Sequence, residues 1–213
     1  MLSASANRLK ALRALLQQHE LDGLIIPHGD VFLGEYTPAC AERLAWLTNF
    51  TGRAGLAVVL ADSAAVFSDG RYTTQLEHEV DPTCWAREHS YQNPPPAWLQ
   101  AHAKHNARIG YDPRIMSRAE LRPFQDAAHQ HFTLVPTPTN LIDQLWQDRP
   151  AFPAGPAVIH PLVYAGEASH SKRTRLAKTL AHMGQDAAVL SDSASIAWLL
   201  NIRGADIDCT PVV

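Results

Sequence analysis

The amino-acid sequence predicts an α/β protein, in which a mixed β-sheet is flanked by helices and followed by the beginning of a second, similar domain. Short apolar stretches of strand length alternate along the chain with amphipathic stretches of helix length. Two adjacent apolar runs, at 55–61 and 64–69, are the exception and indicate a hairpin. An eight-residue pattern also occurs twice, as AWLTNFTG at 45–52 and AWLLNIRG at 197–204.

The first elements precede the hairpin. Leu9, Leu12 and Leu16 lie at positions i, i+3 and i+7, so a helix places them on one apolar stripe. LIIP at 24–27 is short and wholly apolar, which is typical of a buried strand. RLAWLTNF at 43–50 suits a short helix.

Helices and strands continue to alternate after the hairpin. Three consecutive prolines, 94–96, open a helix, because a helix start does not need the missing N–H. Ser117 is positioned to cap another helix. The sequence predicts a helix from about Arg71 to Glu79, a strand at 83–89, a helix at 97–104, a strand at 108–113, a helix at 118–130 and a strand at 132–136.

A linker then divides the chain. QDRPAFPAGP, at 147–156, contains three prolines and one glycine in ten residues. We therefore expect a first domain at 1–146, a proline-rich linker at 147–156 and an incomplete second domain at 157–213.

The pattern restarts beyond this linker. Leu176, Leu180 and Met183 share one helix face, Gly184 is placed to end that helix, and AAVLS at 187–191 is predicted to be a strand. The final residues, CTPVV, suit the edge of a further strand.

The two domains are predicted to be copies of one another. Each has a helix, an aspartate, an apolar strand and then AWLxNxxG, with five of eight positions identical. Trp46 follows Asp22 by 24 residues and Trp198 follows Asp186 by 12, so the first copy carries an insertion at 28–39. A chance recurrence of one helix–strand–helix motif is the alternative.

Duplication has structural consequences. Residues 169–204 should superpose on 5–52, and the two tryptophans should occupy equivalent buried positions. The second copy stops short of the ~100 residues of an ordinary domain. We therefore expect this chain to be the N-terminal piece of a longer protein.

Composition excludes several classes of function. The chain has 46% hydrophobic and 18% charged residues and a formal charge of −3, which is typical of a globular domain without a nucleic-acid footprint. No apolar run reaches the ~20 residues of a membrane span, and the N-terminus lacks a secretory signal. Cys40, Cys84 and Cys209 are too widely spaced to indicate a zinc site. The basic run at 172–175 is predicted to be a solvated helix face.

No catalytic or metal-binding motif is present in this sequence. His102 and His105 could share a helix face, but no third ligand is near them in sequence and HExxH is absent. Ser191, Ser193 and Ser195 lie outside any GxSxG pattern. We predict no catalytic residue and no metal ligand in this chain.

The stretch SDGRY, at 68–72, is the strongest candidate for a binding site. It follows a strand and opens a helix, where Asp69 can cap and Gly70 permits close approach. Arg71 lies in the first turn, at the unfavourable end of the helix dipole. A salt bridge to Asp69 or Glu35 is one explanation. The other is that its planar fork points outward to bind a carboxylate or a peptide carbonyl.

The insertion supplies a second candidate, GEYTPAC at 34–40. A long loop between regular elements is often functional. Glu35 and Tyr36 could therefore line a cleft or a subunit contact, although a packing role is equally consistent with the sequence.

Seven motifs together resemble a known family. They are IIPHGD, GEYTPAC, RLAWLTNFTGRAG, SDGRY, GYDP, NLIDQLWQDRP and IAWLLNIRGADI, which occur in this order along nearly the whole chain. The chain resembles the N-terminal half of the three-domain Xaa-Pro aminopeptidases, the cytosolic aminopeptidase P family related to creatinase and prolidase.

This resemblance implies a creatinase N-terminal-type fold followed by a second copy, with a catalytic pita-bread domain that is absent from this sequence. The parent enzyme would use two manganese ions to remove the residue that precedes a proline in second position. This chain would shape substrate access and oligomer contacts in a cytoplasmic homodimer, bind proline-containing peptides through Arg71, and bind neither nucleic acid nor membrane. The resemblance assigns a role to Arg71 only; Asp69, Glu35 and Tyr36 are expected from their positions in the sequence to support it.

Two other functions remain open at this point. One is a stand-alone peptide-binding or assembly module without catalysis. The other is a fragment of a creatinase- or prolidase-type enzyme, which the two-copy N-terminal region disfavours.

Overall fold

The computed structural model describes residues 3–129 and 131–212. The chain divides into two compact units. The first extends to Glu35 and resumes over Ala39–Pro150, and the second comprises Tyr36–Pro38 and the residues from Ala151 onward.

The first unit is a six-stranded mixed sheet with helices. In chain order its elements are α1 (Ala4–Gln18), β1 (Gly23–Pro27), α2 (Arg43–Thr48), β2 (Gly55–Leu60), β3 (Ala64–Ser68), α3 (Thr73–Glu79), β4 (Ala86–His89), α4 (Pro95–His102), β5 (Ala107–Tyr111), α5 (Arg118–Ala128), β6 (Phe132–Pro136) and α6 (Leu141–Leu145). A short 3-10 helix at Ala39–Ala41 precedes α2. The α/β fold expected from the sequence is therefore confirmed.

The strands are arranged in the order β4-β3-β2-β1-β5-β6. β2 pairs antiparallel with both β1 and β3, which confirms the predicted hairpin, while the remaining pairs are parallel. Five of the six strands therefore run in one direction and end at the same edge of the sheet. We call this the carboxyl edge.

Alternating side chains of the sheet pack against a helical layer on each face, because successive strand residues point to opposite sides. On one face, the predicted stripe of Leu9, Leu12 and Leu16 is buried with residues of α2 and α6. On the other face, Trp98 of α4 and Phe124 of α5 pack against the sheet.

Several boundaries differ from the sequence prediction for a local reason. The stretch predicted to begin a strand at Thr83 forms a turn, because Asp81 accepts hydrogen bonds from the backbone N–H and the hydroxyl of Thr83. The strand therefore begins at Ala86. Ser117 caps α5 through a capping box with Glu120, as its position predicted.

The second unit consists mainly of helices. Its elements are β7 (Val158–Ile159), α7 (Leu162–Ala165), α8 (Ser169–His182), α9 (Ser193–Leu200) and β8 (Ile202–Arg203), and β7 pairs antiparallel with β8. Gly184, at φ +68°, follows the end of α8 as predicted. Thr210 of the CTPVV segment forms an isolated bridge with Ile207, and Val213 lies outside the described residues.

The predicted strand at 187–191 is wrong. This segment has no regular secondary structure, and Val189 is 95% exposed. A strand needs a neighbour to receive its backbone hydrogen bonds. The equivalent β1 lies between β2 and β5, whereas no described segment pairs with 187–191.

A cation holds the C-terminal end of α2 in the first unit. Arg8 of α1 donates through Nη1 to the Trp46 carbonyl and, at 3.4 Å, to Asn49 Oδ1. Its guanidinium also lies 4.8 Å from the centroid of the Trp46 ring. Asn49 ends the helix in the left-handed conformation. A cation at this position complements the unpaired carbonyls of the helix end.

The second unit repeats this arrangement with a lysine. Lys172 Nζ donates to the Trp198 carbonyl (2.8 Å) and to Asn201 Oδ1 (2.7 Å), and it lies 4.3 Å from the Trp198 ring centroid. Asn201 ends α9 in the left-handed conformation. Arg8 and Lys172 each precede the aspartate of their own copy by 14 residues. We call this arrangement the cation clamp.

The clamp supports the duplication but corrects two expectations. Lys172 is only 3% exposed, so it does not belong to a solvated helix face. Trp198 is 53% exposed while Trp46 is half-buried, so the two rings are not equally buried as expected. Trp46 stacks on Trp146 at 5.6 Å. Trp198 has no such aromatic partner among the described residues.

The clamp makes exchange of the two cations testable. Lys172→Arg and Arg8→Lys should preserve stability, because each introduces the cation that the other copy uses. Lys172→Met should lower the free energy of opening of α9 by about 1.5–3 kcal/mol, the contribution of hydrogen bonds to a charged group. Native-state hydrogen exchange of the α9 amides measures this. Equal losses for Lys172→Arg and Lys172→Met would contradict the clamp.

Candidate functional site

The carboxyl edge brings several loops together. The loops after β1, β3, β4, β5 and β6 all leave the sheet there, because these strands are parallel to one another. Ligands of open α/β sheets bind outside the carboxyl ends of the strands. The SDGRY stretch follows β3, and the insertion follows β1. Both sequence candidates therefore lie at the edge where binding is expected.

Asp69 orients Arg71 at this edge. The Arg71 guanidinium donates to both carboxylate oxygens of Asp69, and its shortest contact joins Nη2 to Oδ2 at 2.7 Å. The Arg71 backbone N–H also donates to Asp69 Oδ1, at 3.0 Å. The Arg71 side chain is 68% exposed, so the pair lies at the surface. The planar fork is held in one orientation by a residue two positions earlier.

The structure corrects the expected role of Asp69 as a helix cap. α3 begins at Thr73, with Tyr72 at its N-cap position and no side-chain cap bond. Asp69 instead closes the turn before the helix, since its carbonyl accepts from the Tyr72 N–H at 3.1 Å. Arg71 therefore precedes α3 and is not in the first helical turn, so the dipole cost expected from the sequence does not arise.

Tyr72 anchors this turn to the core. Its half-buried ring meets the buried Phe50 ring edge-on, with centroids 6.2 Å apart. The Arg71 guanidinium lies 5.4 Å from the Tyr72 ring centroid. The guanidinium is thus placed by a carboxylate on one side and by an anchored aromatic ring on the other.

The ion pair shifts the pKa of both partners. Hydrogen bonds from the Arg71 side chain lower the pKa of the Asp69 carboxyl below its usual value. The same hydrogen bonds raise the pKa of Arg71, and the more distant negative charge of Glu35 adds to this effect. Arg71 is paired with Asp69, which is the first of the two salt bridges considered from the sequence. Glu35 acts on Arg71 only through this longer-range field.

The insertion loop has an internal anchor. Asp30 is 4% exposed, and its Oδ1 accepts from the backbone N–H groups of Phe32 (3.0 Å) and Gly34 (3.2 Å). His28 Nε2 donates to the Glu35 carbonyl at 3.2 Å. The Glu35 side chain is exposed, whereas Tyr36 belongs to the segment that groups with the second unit. No pattern in the sequence marked Asp30 as a candidate.

The histidines do not assemble a metal site. His102 stacks on Trp98 and donates from Nδ1 to its carbonyl (2.8 Å), while the His105 ring contacts His131. Throughout residues 3–129 and 131–212, no three His, Cys, Asp or Glu side chains are grouped to hold a metal ion. No helix within these ranges is long and apolar enough to span a membrane.

Family models match the chain twice. Both describe the creatinase/prolidase N-terminal domain, one over residues 8–145 and the other over residues 148–213. The first match alone covers well over half of the chain. The chain belongs to the creatinase/prolidase N-terminal domain family. The family resemblance recognised from the seven motifs is confirmed.

Individual relatives of this family were found in fungi. A probable Xaa-Pro aminopeptidase P of Coccidioides posadasii is 35% identical over 212 residues, which are 98% of this chain and 33% of the relative. The corresponding protein of Aspergillus clavatus is 33% identical, over 98% of this chain and 32% of the relative. The chain therefore spans about a third of the length of the curated relatives it matches.

Solved structures show the same fold. The X-prolyl aminopeptidase of Caenorhabditis elegans, described as a cytosolic enzyme with a di-nuclear active site, has a TM-score of 0.87 and 28% identity. The match covers 98% of this chain and 36% of that protein. An aminopeptidase P from Streptococcus thermophilus, at 22% identity and a TM-score of 0.51, supports the fold over 67% of this chain.

The Asp69–Arg71 pair predicts how Asp69 titrates. Its carboxyl should titrate below the ordinary aspartate value of about 3.9. Because the folded pKa is lowered, the pairing is present above the ordinary value and is lost as the pH falls through the folded pKa. Carbon NMR of the carboxyl should show this pKa rising in Arg71→Ala. Arg122→Ala, which removes another exposed, aspartate-paired arginine, should leave it unchanged; equal shifts in both variants would contradict the pairing.

Proposed function

We propose that this chain is the non-catalytic N-terminal region of an Xaa-Pro aminopeptidase whose complete form removes the first residue from peptides with proline in second position. The match along 98% of this chain to proteins described as Xaa-Pro aminopeptidase P supports this proposal. So does the likeness to the C. elegans enzyme. Within the complete enzyme, this region shapes substrate access and holds the part of the peptide that lies away from the scissile bond.

The geometry of Arg71 is the observation that carries the substrate-holding role. The Asp69 carboxylate accepts hydrogen bonds from Nε and Nη2 of Arg71. Arg71 Nη1 has no hydrogen-bond partner in the described parts of the chain. A guanidinium that is oriented and still has free N–H groups can donate to a carbonyl or carboxylate oxygen. An exposed ion pair contributes little to stability, so a binding role explains the fixed geometry better than a structural role does.

The chemistry of the complete enzyme would come from elsewhere in it. Metal-activated water is the nucleophile in di-nuclear peptidases. The side chains of residues 3–129 and 131–212 do not fit a two-metal site, so no hydrolytic step is assigned to them. Two manganese ions, a homodimer and a cytoplasmic location are the parts of the proposal that rest on the family resemblance alone.

The 213-residue chain by itself should show no peptidase activity. The reason is that the side chains of residues 3–129 and 131–212 form no group that could hold a metal ion. Hydrolysis of an Xaa-Pro-Xaa tripeptide in the presence of Mn²⁺ should equal that of a mock preparation. Metal-dependent cleavage well above the mock preparation would reject the non-catalytic role.

In the complete enzyme, Arg71→Ala should lower kcat/KM for Xaa-Pro-Xaa peptides by about ten- to a hundredfold. This is the loss expected when a charge-assisted hydrogen bond to the substrate is removed. The melting temperature should hardly change, because the ion pair is exposed. Steady-state kinetics and thermal unfolding of the same preparations measure both quantities.

The matched control is Arg122→Ala, whose side chain is 79% exposed and also faces an aspartate. It should alter neither quantity. An unchanged kcat/KM for Arg71→Ala together with a large fall in melting temperature would show that Arg71 is structural.

A further inference from the structure

The end of β4 places a second polar side chain beside Arg71. β3 and β4 are parallel, and their register sets Ser68 opposite His89. The pairing continues one step further, since the Ser90 N–H donates to the Ser68 carbonyl at 2.9 Å. His89 therefore lies next to the turn that carries Asp69 and Arg71, although it is 18 residues away from Arg71 in sequence.

Hydrogen bonding fixes the tautomer of His89. The backbone N–H of Tyr91 donates to His89 Nδ1 at 3.3 Å. Because Nδ1 accepts this bond, the neutral ring carries its proton on Nε2. No residue within 3–129 or 131–212 accepts a hydrogen bond from this Nε2–H. His89 thus presents one oriented and unused donor.

The His89 Nε2–H donor lies beside Gly70. A β-carbon built on Gly70 would lie 3.5 Å from His89 Nε2, which places the ring beside the turn that carries Asp69 and Arg71. Gly70, which lies between Asp69 and Arg71 in sequence, is therefore the residue of this turn that faces His89 Nε2. Because Gly70 has no side chain, no β-carbon lies against Nε2 at this turn.

Arg71 adds further donors to this surface. The side of its guanidinium formed by Nε and Nη2 is occupied by the Asp69 carboxylate, which leaves Nη1 and the second Nη2 hydrogen. This remaining side of the fork matches the two oxygens of another carboxylate. Beside His89, the Tyr91 side chain is 80% exposed, and the centroids of the two rings lie 5.9 Å apart. Oriented donors and an exposed aromatic surface thus lie together.

We propose that Arg71 and His89 together bind the carboxyl-terminal carboxylate of a short peptide substrate, with the Tyr91 ring beside it. This proposal rests on the proposed function and extends it, because it names the substrate group and a second residue that binds it. Asp69 neutralises the charge of Arg71 but occupies only the Nε and Nη2 side of its guanidinium. The N–H groups on the other side can therefore donate to a second acceptor group. A carboxylate gains from both donors, whereas a peptide carbonyl offers a single oxygen.

The experiment compares a tripeptide Xaa-Pro-Xaa as the free acid with its carboxyl-terminal amide in the complete enzyme. The wild type should have a KM for the acid about tenfold below that for the amide. His89→Phe should raise the KM for the acid by about tenfold, leave kcat nearly unchanged, and have little effect on the amide. His89→Gln, which keeps an N–H donor, should recover part of the loss.

A second variant tests the same donor without removing the imidazole. Gly70 is outside the left-handed region, and a methyl group there would meet Nε2 at an ordinary contact distance. Gly70→Ala should therefore fold normally, cover the donor and raise the KM for the acid. His105→Gln is the matched control, because His105 precedes β5 and lies at the opposite end of the sheet.

The outcomes separate this inference from the proposed function. If Arg71→Ala raises the KM but His89→Phe and Gly70→Ala do not, the role of His89 is rejected and the proposed function stands. If Arg71→Ala has no effect on either substrate, the substrate-holding role itself is rejected. Equal effects of His89→Phe on the acid and the amide would assign the site to a carbonyl oxygen and overturn the carboxylate assignment.

Discussion

The first unit depends on the burial of one charged group, the guanidinium of Arg43. Its side chain is only 6% exposed, and it donates to both oxygens of Asp143, at 2.6 and 3.0 Å. An unpaired charge at such a position would cost several kcal/mol, so α2 and α6 must pack against each other. Arg149 binds the same carboxylate at 2.7 Å and also donates to the Cys40 carbonyl. Arg149, near the end of this unit, is therefore held both to α6 and to the segment that follows the insertion.

This constraint extends to the candidate site through packed rings. Phe50 follows Asn49, which caps α2, and its ring fills the space above Gly55, where an added β-carbon would lie 2.7 Å from the ring. The Phe50 ring in turn holds Tyr72, and Tyr72 and Asp69 hold Arg71. The exposed Arg71 is thus connected to the core through the Tyr72 and Phe50 rings.

The cation clamp shows how a short repeated sequence keeps its structure while its surroundings differ. In both copies the clamp needs only a cation on the preceding helix, the carbonyl of a tryptophan and a left-handed asparagine. These contacts join only the two helices of one copy, across 38 residues in the first and 26 in the second. They therefore form both where the tryptophan packs against Trp146 and where it is 53% exposed. Burial of the tryptophan depends in addition on which other segments surround the helix. For this reason the equivalence of the two turns was predictable, and their equal burial was not.

Sequence patterns predicted the order of elements from α1 to β6, the hairpin, the stripe of leucines on α1 and the cap of α5, because periodicity and capping act over a few residues. They also indicated Arg71 and Asp69 as candidates from their position after a strand. Whether 187–191 forms a strand depends on the tertiary structure, since strand formation requires a partner. Likewise, no local pattern marks His89 or Asp30. His89 reaches Arg71 through the register of β3 and β4, and such a register is set by the packing of the whole sheet.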